Sequence, residues 1–304
     1  MAVLAYELLH LAAEASMRAT PSGNCTAVVI LPTRRPRDLR RFVGVVDYVV
    51  VDDEVDAAAA EAAGLRWILN KYEGKSGALA TALEEVEADL YVFIDDDAYP
   101  GRWLEALRGA CGRFATAYRW VLDRLQNMFS LGGFDWMVWR RTRFLYGGAM
   151  TVPATRRRAA AEALKRCPVD DMALTAVAND IEVLPLLVPM DGSDSAWAFF
   201  MRQSTAAKLG NFRLWLAETL YYVLWTVAAV FFPPLLLVHA ARTALRSRRA
   251  LGRVDWVQVL LSPLERPLQA FVFAASAFRR CFEWRGRVVC GNVKIVDSKQ
   301  CCDH

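Results

Sequence analysis

Three carboxylates in direct succession, Asp95-Asp96-Asp97, close the apolar run Leu90–Ile94. Neighbouring carboxylates repel one another unless a cation joins them, and oxygen donors of this kind suit Mg2+ or Mn2+ shared with phosphate oxygens. Asp52-Asp53 end a second apolar run in the same manner. At one sheet edge, the two acidic sets describe a nucleotide pocket in which one carboxylate accepts hydrogen bonds from a base or ribose. Gly74-Lys75 open a helical stretch, where a lysine and a helix N-terminus can face a diphosphate. The full phosphate-loop spacing is absent, and a capping lysine at the surface fits the same residues. Asp170-Asp171 follow Pro168 and begin another helix. They read equally as helix-terminal acids or as a general base.

The elements that must position these groups alternate. Thr26–Leu31, Val45–Val51, Leu65–Leu69 and Leu90–Ile94 read as strands, and Val55–Ala63 and Ser76–Glu87 as the helices between them. That order predicts an α/β fold with a mostly parallel sheet, whose ligands bind beyond the carboxyl ends of the strands. Trp103–Met128 reads as one helix, Gly147-Gly148 as the opening of a short strand, Thr155–Arg166 as a basic helix and Ile181–Val188 as a further apolar run.

The chain has 304 residues, of which 55% are hydrophobic, and its mean hydropathy is +0.18. The excess of apolar residues gathers after Asn211. Phe212–Ala240 is long enough to cross a bilayer, with Pro233-Pro234 as its kink or end, and Trp256–Phe278 is a second, weaker candidate. If both cross, the basic stretch Arg242–Arg253 between them lies opposite the front domain, which a re-entrant or interfacial hairpin would avoid. That stretch reads as a solvated loop or a contact for anionic headgroups. The first residues form an amphipathic helix too short and too charged to span. A division into an N-terminal helix (1–25), a catalytic domain (26–210), membrane-associated helices (211–280) and a cytosolic tail (281–304) follows.

A net charge of +4 and no basic-aromatic run in the front half give no reason to expect nucleic acid. Seven cysteines, an odd number with no CxxC pair, predict unpaired thiols in a reducing cytosolic setting rather than a disulfide framework. The tail gathers Cys281, Cys290, Cys301, Cys302 and His304, with spacings that fit no usual zinc pattern. Only His10, His239 and His304 are present, all in terminal or apolar segments, which argues against a hydrolytic triad. A phosphatase using the strand-terminal acids is disfavoured by the Ala98-Tyr99 that follows them.

Taken in order, VDD, GKSGAL, FIDDD, GGAM, DDMAL and RQ before an apolar segment resemble the family-2 glycosyltransferases of GT-A fold. The closest resemblance is to the ceramide-glucosyltransferase-like and processive-synthase-like branch, and Glu283-Trp284-Arg285-Gly286-Arg287 is similar to its closing stretch. The resemblance runs from about Thr26 to Val289. It implies a nucleotide-sugar donor, UDP-linked by preference, a Mn2+ or Mg2+ cofactor, and inverting transfer to a membrane lipid or lipid-linked hydroxyl at the cytoplasmic face of the cell membrane. On that resemblance Pro32 and Asp52 or Asp53 border uracil or ribose, and Asp95 and Asp97 hold the metal. Asp96 and Lys75 sit beside the donor, Arg202 and Gln203 near its diphosphate, and Asp171 of the Asp170-Asp171 pair is the base. RQSTAAK departs from the family's (Q/R)xxRW motif by lacking the Arg-Trp pair, which weakens a processive reading. A polyprenyl-phosphate acceptor and a non-catalytic membrane scaffold are the alternatives.

Overall fold

The computed structural model describes residues 2–19, 23–33, 38–167, 169–193, 195–210, 212–284 and 287–290. Helix α1 (Ala2–Ser16) comes first. Strands and helices then alternate as β1 (Ala27–Thr33), β2 (Tyr48–Val51), α2 (Glu54–Ala62), β3 (Trp67–Leu69), α3 (Gly74–Glu85) and β4 (Leu90–Ile94). Next are α4 (Arg102–Arg108), β5 (Phe114–Thr116), β6 (Arg119–Val121), α5 (Arg124–Val138), β7 (Ala149–Pro153), α6 (Arg157–Arg166), α7 (Asp170–Val177), β8 (Ile181–Val183) and β9 (Val188–Met190). Helices α8 (Ala196–Gly210), α9 (Phe212–Phe231), α10 (Pro234–Leu251), α11 (Trp256–Leu261) and α12 (Glu265–Ser276) lead to the hairpin strands β10 (Cys281–Trp284) and β11 (Arg287–Cys290).

The expected helix over Trp103–Met128 is corrected. It divides into α4, β5, β6 and the start of α5, because Gly109 ends α4 and Gly112 takes a φ of +71° that few other residues tolerate. Contacts separate two compact units, one holding the stretch from Arg18 to Arg119 with Trp139–Met190, the other joining α1, Trp120–Val138 and the chain from Asp191 onward.

The first unit is α/β. Its seven-stranded sheet runs β3-β2-β1-β4-β7-β5-β8, with β7 antiparallel to its neighbours β4 and β5 and the other pairings parallel. Val29, Leu31, Val49, Val51, Val92 and Ile94 form its core with Leu104 and Leu107 of α4. The order reverses between β1 and β4, the switch point where open α/β sheets bind ligands. Cys25 and Cys111 form a disulfide with their Cα atoms 5.9 Å apart, which corrects the expectation of unpaired cysteines; Cys281, in the other unit, is also disulfide-bonded. An odd count rules out complete pairing, not a single bridge between distant segments. Cys301, Cys302 and His304 lie outside the described residues.

The second unit is helical and reverses the usual distribution of side chains. On α9, Trp215, Glu218, Tyr222, Trp225 and Ala229 face inward, while Leu216, Leu220, Leu224, Val227 and Phe231 are exposed. Trp256, Leu260, Leu264, Phe271 and Phe278 continue the exposed apolar surface. The buried positions carry charge. Arg242 of α10 meets Glu14 of α1 at 2.6 Å and also pairs with Glu7 and with Asp135 of α5. Arg246 reaches Glu14 at 2.9 Å, Arg266 of α12 pairs with Asp135, and His239 lies 2.9 Å from Glu265.

These contacts correct three expectations. The basic stretch after Arg242 is neither a loop nor a headgroup contact at its first two arginines, which are interior. The face of α1 that packs inward is the charged one, Glu7, His10 and Glu14. Trp256–Phe278 is not one span: it breaks at Ser262-Pro263 into α11 and α12 and buries Gln258, Glu265, Arg266 and Gln269. Pro233 does end the first candidate. Among the described residues α9 alone, at 20 residues, is long and apolar enough to cross a membrane. His10, Glu14 and Asp135 cluster closely enough to hold a cation, but the Arg242 and Arg246 guanidinium groups already bind those carboxylates.

Removing one partner of a buried ion network strands the others. Asp135→Ala should therefore cost about 3–5 kcal/mol in denaturant unfolding followed in detergent. Arg248→Ala, at an exposed position of α10, should stay within about 0.5 kcal/mol of the parent.

Candidate active site

The site forms at the carboxyl edge of the α/β sheet. β4 is fully buried and delivers Asp95, Asp96 and Asp97 just past Ile94. β1 brings Thr33 alongside, whose hydroxyl donates to Asp96 Oδ2 at 2.7 Å, and the Arg41 guanidinium donates to the Asp96 carbonyl. Arg41 also lies over the Tyr99 ring at 4.8 Å. These contacts hold the acidic turn against the strands that frame it.

β2 delivers Asp52, which accepts from Asn70 Nδ2 at 2.7 Å. Asp53 turns the other way and caps α2, accepting from the Asp56 amide at 2.9 Å. Of the two, Asp52 keeps its carboxylate at the strand edge, while that of Asp53 serves as an N-cap. Pro32 is buried within β1, paired in register with Val50.

Lys75 is not at the surface. Its ammonium lies 2.7 Å from Asp95 Oδ1, 2.8 Å from Asp170 Oδ2 and 2.8 Å from the Gly147 carbonyl. Asp170 is therefore no helix-terminal ornament: it is buried and paired. Asp171, next along α7, is half-buried, and its Oδ1 accepts from the Met172 amide at 2.8 Å. The structure thus brings Asp95, Asp96, Asp97, Lys75, Asp170 and Asp171 to one edge. Arg202 and Gln203 lie on α8, in the helical unit.

Electrostatics separates these acids. Burial, then the charges of Asp95 and Asp96, push the Asp97 carboxyl up to about 7, against the pull of Lys75. Burial and the neighbouring Asp170 likewise push Asp171 up to about 7. Arg119 is buried between the Tyr118 and Tyr146 rings, 5.7 Å and 5.6 Å from their centres. Burial opposes its charge, but the two tyrosines and Asp97 outweigh it and hold its pKa above the ordinary value. Tyr146 is pushed well up, mainly by burial.

The donor set fits a hard divalent cation. Asp97 Oδ1 is buried with no hydrogen-bond partner, a costly state for a carboxylate oxygen that a cation would relieve. Asp95 Oδ1 is ion-paired with Lys75 at 2.7 Å. Mn2+ or Mg2+ held by Asp95 and Asp97 is consistent with both observations.

Sequence reasoning missed Thr33, Arg41, Arg119 and Tyr146. Arg119 sits in the stretch read as helix, and nothing local marks it as part of a site. Gly147 had a signal, the Gly147-Gly148 pair, whose purpose is steric: a Cβ on Gly147 would lie 2.5 Å from Asp170 Oδ2.

No protein-family description matches the chain, and no curated protein is significantly similar to it. Several solved structures follow a similar course. A mannosyltransferase from Pyrobaculum calidifontis, in complex with GDP-Man and Mn2+, aligns with 90% of this chain and 82% of its own, at 14% identity and a TM-score of 0.45. A glucosyl-3-phosphoglycerate synthase from Mycobacterium tuberculosis, in complex with Mn2+, UDP-Glc and phosphoglyceric acid, aligns with 66% of this chain and 82% of its own (16% identity, TM-score 0.42). Mannosyl-3-phosphoglycerate synthase from Rubrobacter xylanophilus covers 56% of this chain and 68% of its own, at 17% identity and a TM-score of 0.36. The alignments are too loose to carry any residue's role across to this chain.

A carboxyl raised to about 7 keeps its proton in the folded chain where an unfolded one has lost it. Its contribution to stability is full below the ordinary carboxyl range and fades as pH climbs to about 7. A divalent cation must displace that proton. Calorimetric titration of Mn2+ at pH 6, in buffers of different ionisation enthalpy, should register release of roughly one proton per ion bound. Asp97→Asn should abolish both the release and most of the affinity.

Proposed function

We propose that this chain is an inverting, metal-dependent glycosyltransferase that moves a sugar from a nucleotide sugar, UDP-linked by preference, to a hydroxyl on a membrane lipid or lipid-linked acceptor. The observation that carries the reading is the presence of two raised carboxyls at one sheet edge, one on the acidic turn after β4 and one on α7. Asp97, half-buried beside Asp95 and Asp96, has a buried oxygen with no hydrogen-bond partner, and Asp171 is a second carboxyl raised to about 7. Acids with such separated tasks, one set for a cation and one for a proton, are what transfer from a diphosphate donor requires. The motif order from VDD to DDMAL supports the same assignment.

In this mechanism Asp171 takes the proton of the acceptor hydroxyl. As it does so, the acceptor oxygen forms its bond to the anomeric carbon and the bond from that carbon to the diphosphate breaks. The nucleoside diphosphate leaves with the bonding electrons. Mn2+ or Mg2+, when held by Asp95 and Asp97, supplies the positive charge that the departing diphosphate needs. Arg119 adds a buried, permanent cation to the same edge. Asp52 and Pro32 border the position of the base and ribose, and Thr33 keeps Asp96 from swinging into it.

The lipid side of the proposal rests on the helical unit. A polar, ion-paired interior beneath an apolar exterior suits hydrocarbon rather than water. At 1.5 Å per residue, the 20 residues of α9 match a bilayer core of about 30 Å. A cell-membrane location with the catalytic unit facing the cytoplasm is part of the same proposal, and so is single transfer rather than processive synthesis, given the absent Arg-Trp pair.

The test is nucleotide release by the protein in mild detergent, from UDP- and GDP-sugars including UDP-glucose and GDP-mannose. Release should need Mn2+ or Mg2+, cease with EDTA and rise with added lipid extract. Its kcat/KM should climb with pH and level off above about 7, as Asp171 loses its proton. Asp171→Asn should lower kcat by roughly 100- to 10,000-fold. If Asp97→Ala abolishes release and Asp171→Asn does not, a phosphate acceptor that needs no base replaces the hydroxyl. Absence of both release and nucleotide binding leaves only a scaffold.

A further inference from the structure

We propose that Lys75 is a positioning residue, a buried tie between the metal-side acid Asp95 and the base-side pair Asp170-Asp171, and that it does not bind the donor's diphosphate. The proposal rests on the transferase reading above. An ammonium group has three hydrogens and no acceptor. Lys75 donates to the Gly147 carbonyl at 2.8 Å and forms ion pairs with Asp95 Oδ1 at 2.7 Å and Asp170 Oδ2 at 2.8 Å. A phosphate could reach the nitrogen only by displacing one of them, and the side chain is just 6% exposed.

The three acceptors come from separate parts of the sheet edge. Asp95 ends β4, Asp170 starts α7, and Gly147 lies in the turn before β7. Near that turn the Asp95 amide donates to the Gly148 carbonyl at 3.1 Å, which brings the turn against the acidic segment. Gly147 is the position that lets the tie close. A Cβ there would stand 2.5 Å from Asp170 Oδ2 and 3.2 Å from Lys75 Nζ. With Asp170 anchored, the first turn of α7 is fixed, and with it the backbone that carries Asp171. With Oδ1 of Asp95 ion-paired to Lys75, the orientation of that carboxylate is held from the same point.

Such a tie acts through other groups, so its loss should appear in turnover rather than in donor affinity. The experiment is a double-mutant cycle of Lys75→Met and Asp170→Asn, with Lys75→Arg alongside, read as steady-state kinetics with Mn2+ and the preferred nucleotide sugar. Lys75→Met should lower kcat by about 100-fold or more while donor KM stays within about threefold. Lys75→Arg should not restore it, because a planar guanidinium cannot take the place of a compact ammonium set between two carboxylates and a carbonyl. The double variant removes one carboxylate together with the cation and so keeps the edge nearer charge balance should Lys75→Met fail to fold. Its kcat should be no lower than that of the worse single variant, since both break the same tie.

A Lys75→Met variant with unchanged kcat and a donor KM raised about tenfold or more, adding independently to Asp170→Asn, would assign Lys75 to the diphosphate and overturn the proposal. A parent protein with no turnover overturns the transferase reading and this inference together. An active parent with a fully active Lys75→Met variant overturns this inference alone.

Discussion

Like-charge repulsion at one sheet edge is the constraint from which the rest of the α/β unit follows. Asp95, Asp96, Asp97, Asp170 and Asp171 converge there; among the described residues Lys75 and Arg119 are buried cations that bear on them, and Arg41 reaches the Asp96 carbonyl. Lys75 pairs with Asp95 and Asp170, and repulsion among the acids is left to act on Asp97 and Asp171. The chain answers by letting Asp97 and Asp171 keep their protons up to about 7, and by hydrogen-bonding Asp96 to Thr33. Such an edge is poised to take a divalent cation and an anionic ligand together.

The strand-terminal half of this arrangement is legible in the sequence. Runs ending in Asp52 and in Asp95-Asp96-Asp97 can be read as strands without any tertiary knowledge, because they are rich in Val, Ile, Phe and Tyr and finish on residues that disfavour strands. What the sequence hides is which acid faces what. Asp52 and Asp53 look equivalent, yet one turns to Asn70 and the other caps α2. Lys75 looks like a capping residue beside a helix start. Only the closing of β7 against β4 shows that it points inward, and no local pattern encodes that long-range contact. The misreading of Trp103–Met128 has a similar cause. Gly109 and Gly112 are modest breakers by themselves, and short strands such as β5 and β6 offer too few residues for a period-2 pattern to emerge.

The helical unit was misread for a different reason. Hydropathy along the chain cannot tell a solvated basic loop or a headgroup contact, the two readings of Arg242–Arg253, from the buried face of a helix. The spacing of Arg242 and Arg246, one helical turn, matches that of Glu7, His10 and Glu14 on α1, so each set lies on one face of its helix. More than two hundred residues separate the two faces in the chain, and their complementarity becomes visible only when α1 and α10 are in contact. The same packing accounts for the charges that make Trp256–Phe278 a poor span. They point inward, and the apolar positions between them are left outside.

The two charged clusters of this chain therefore differ in kind, and the difference separates structure from function. In the helical unit Glu7, Glu14 and Asp135 meet Arg242, Arg246 and Arg266, three of each sign, and His10, Glu14 and Asp135 offer no cation site because guanidinium groups fill it. A matched cluster of this kind can specify how helices assemble. At the sheet edge β4 and α7 crowd carboxylates against one another, and a buried oxygen of Asp97 has no hydrogen-bond partner. That crowding is unfavourable for the empty protein and favourable for binding, since a cation or a proton entering the site recovers what the fold gives up. A second lysine in place of Gly147 would relieve the crowding only by breaking the tie that Lys75 makes, because the approach of Asp170 leaves no room there for a side chain. The glycine and the crowded acids are consequences of one arrangement, and the reactivity assigned to Asp97 and Asp171 depends on both.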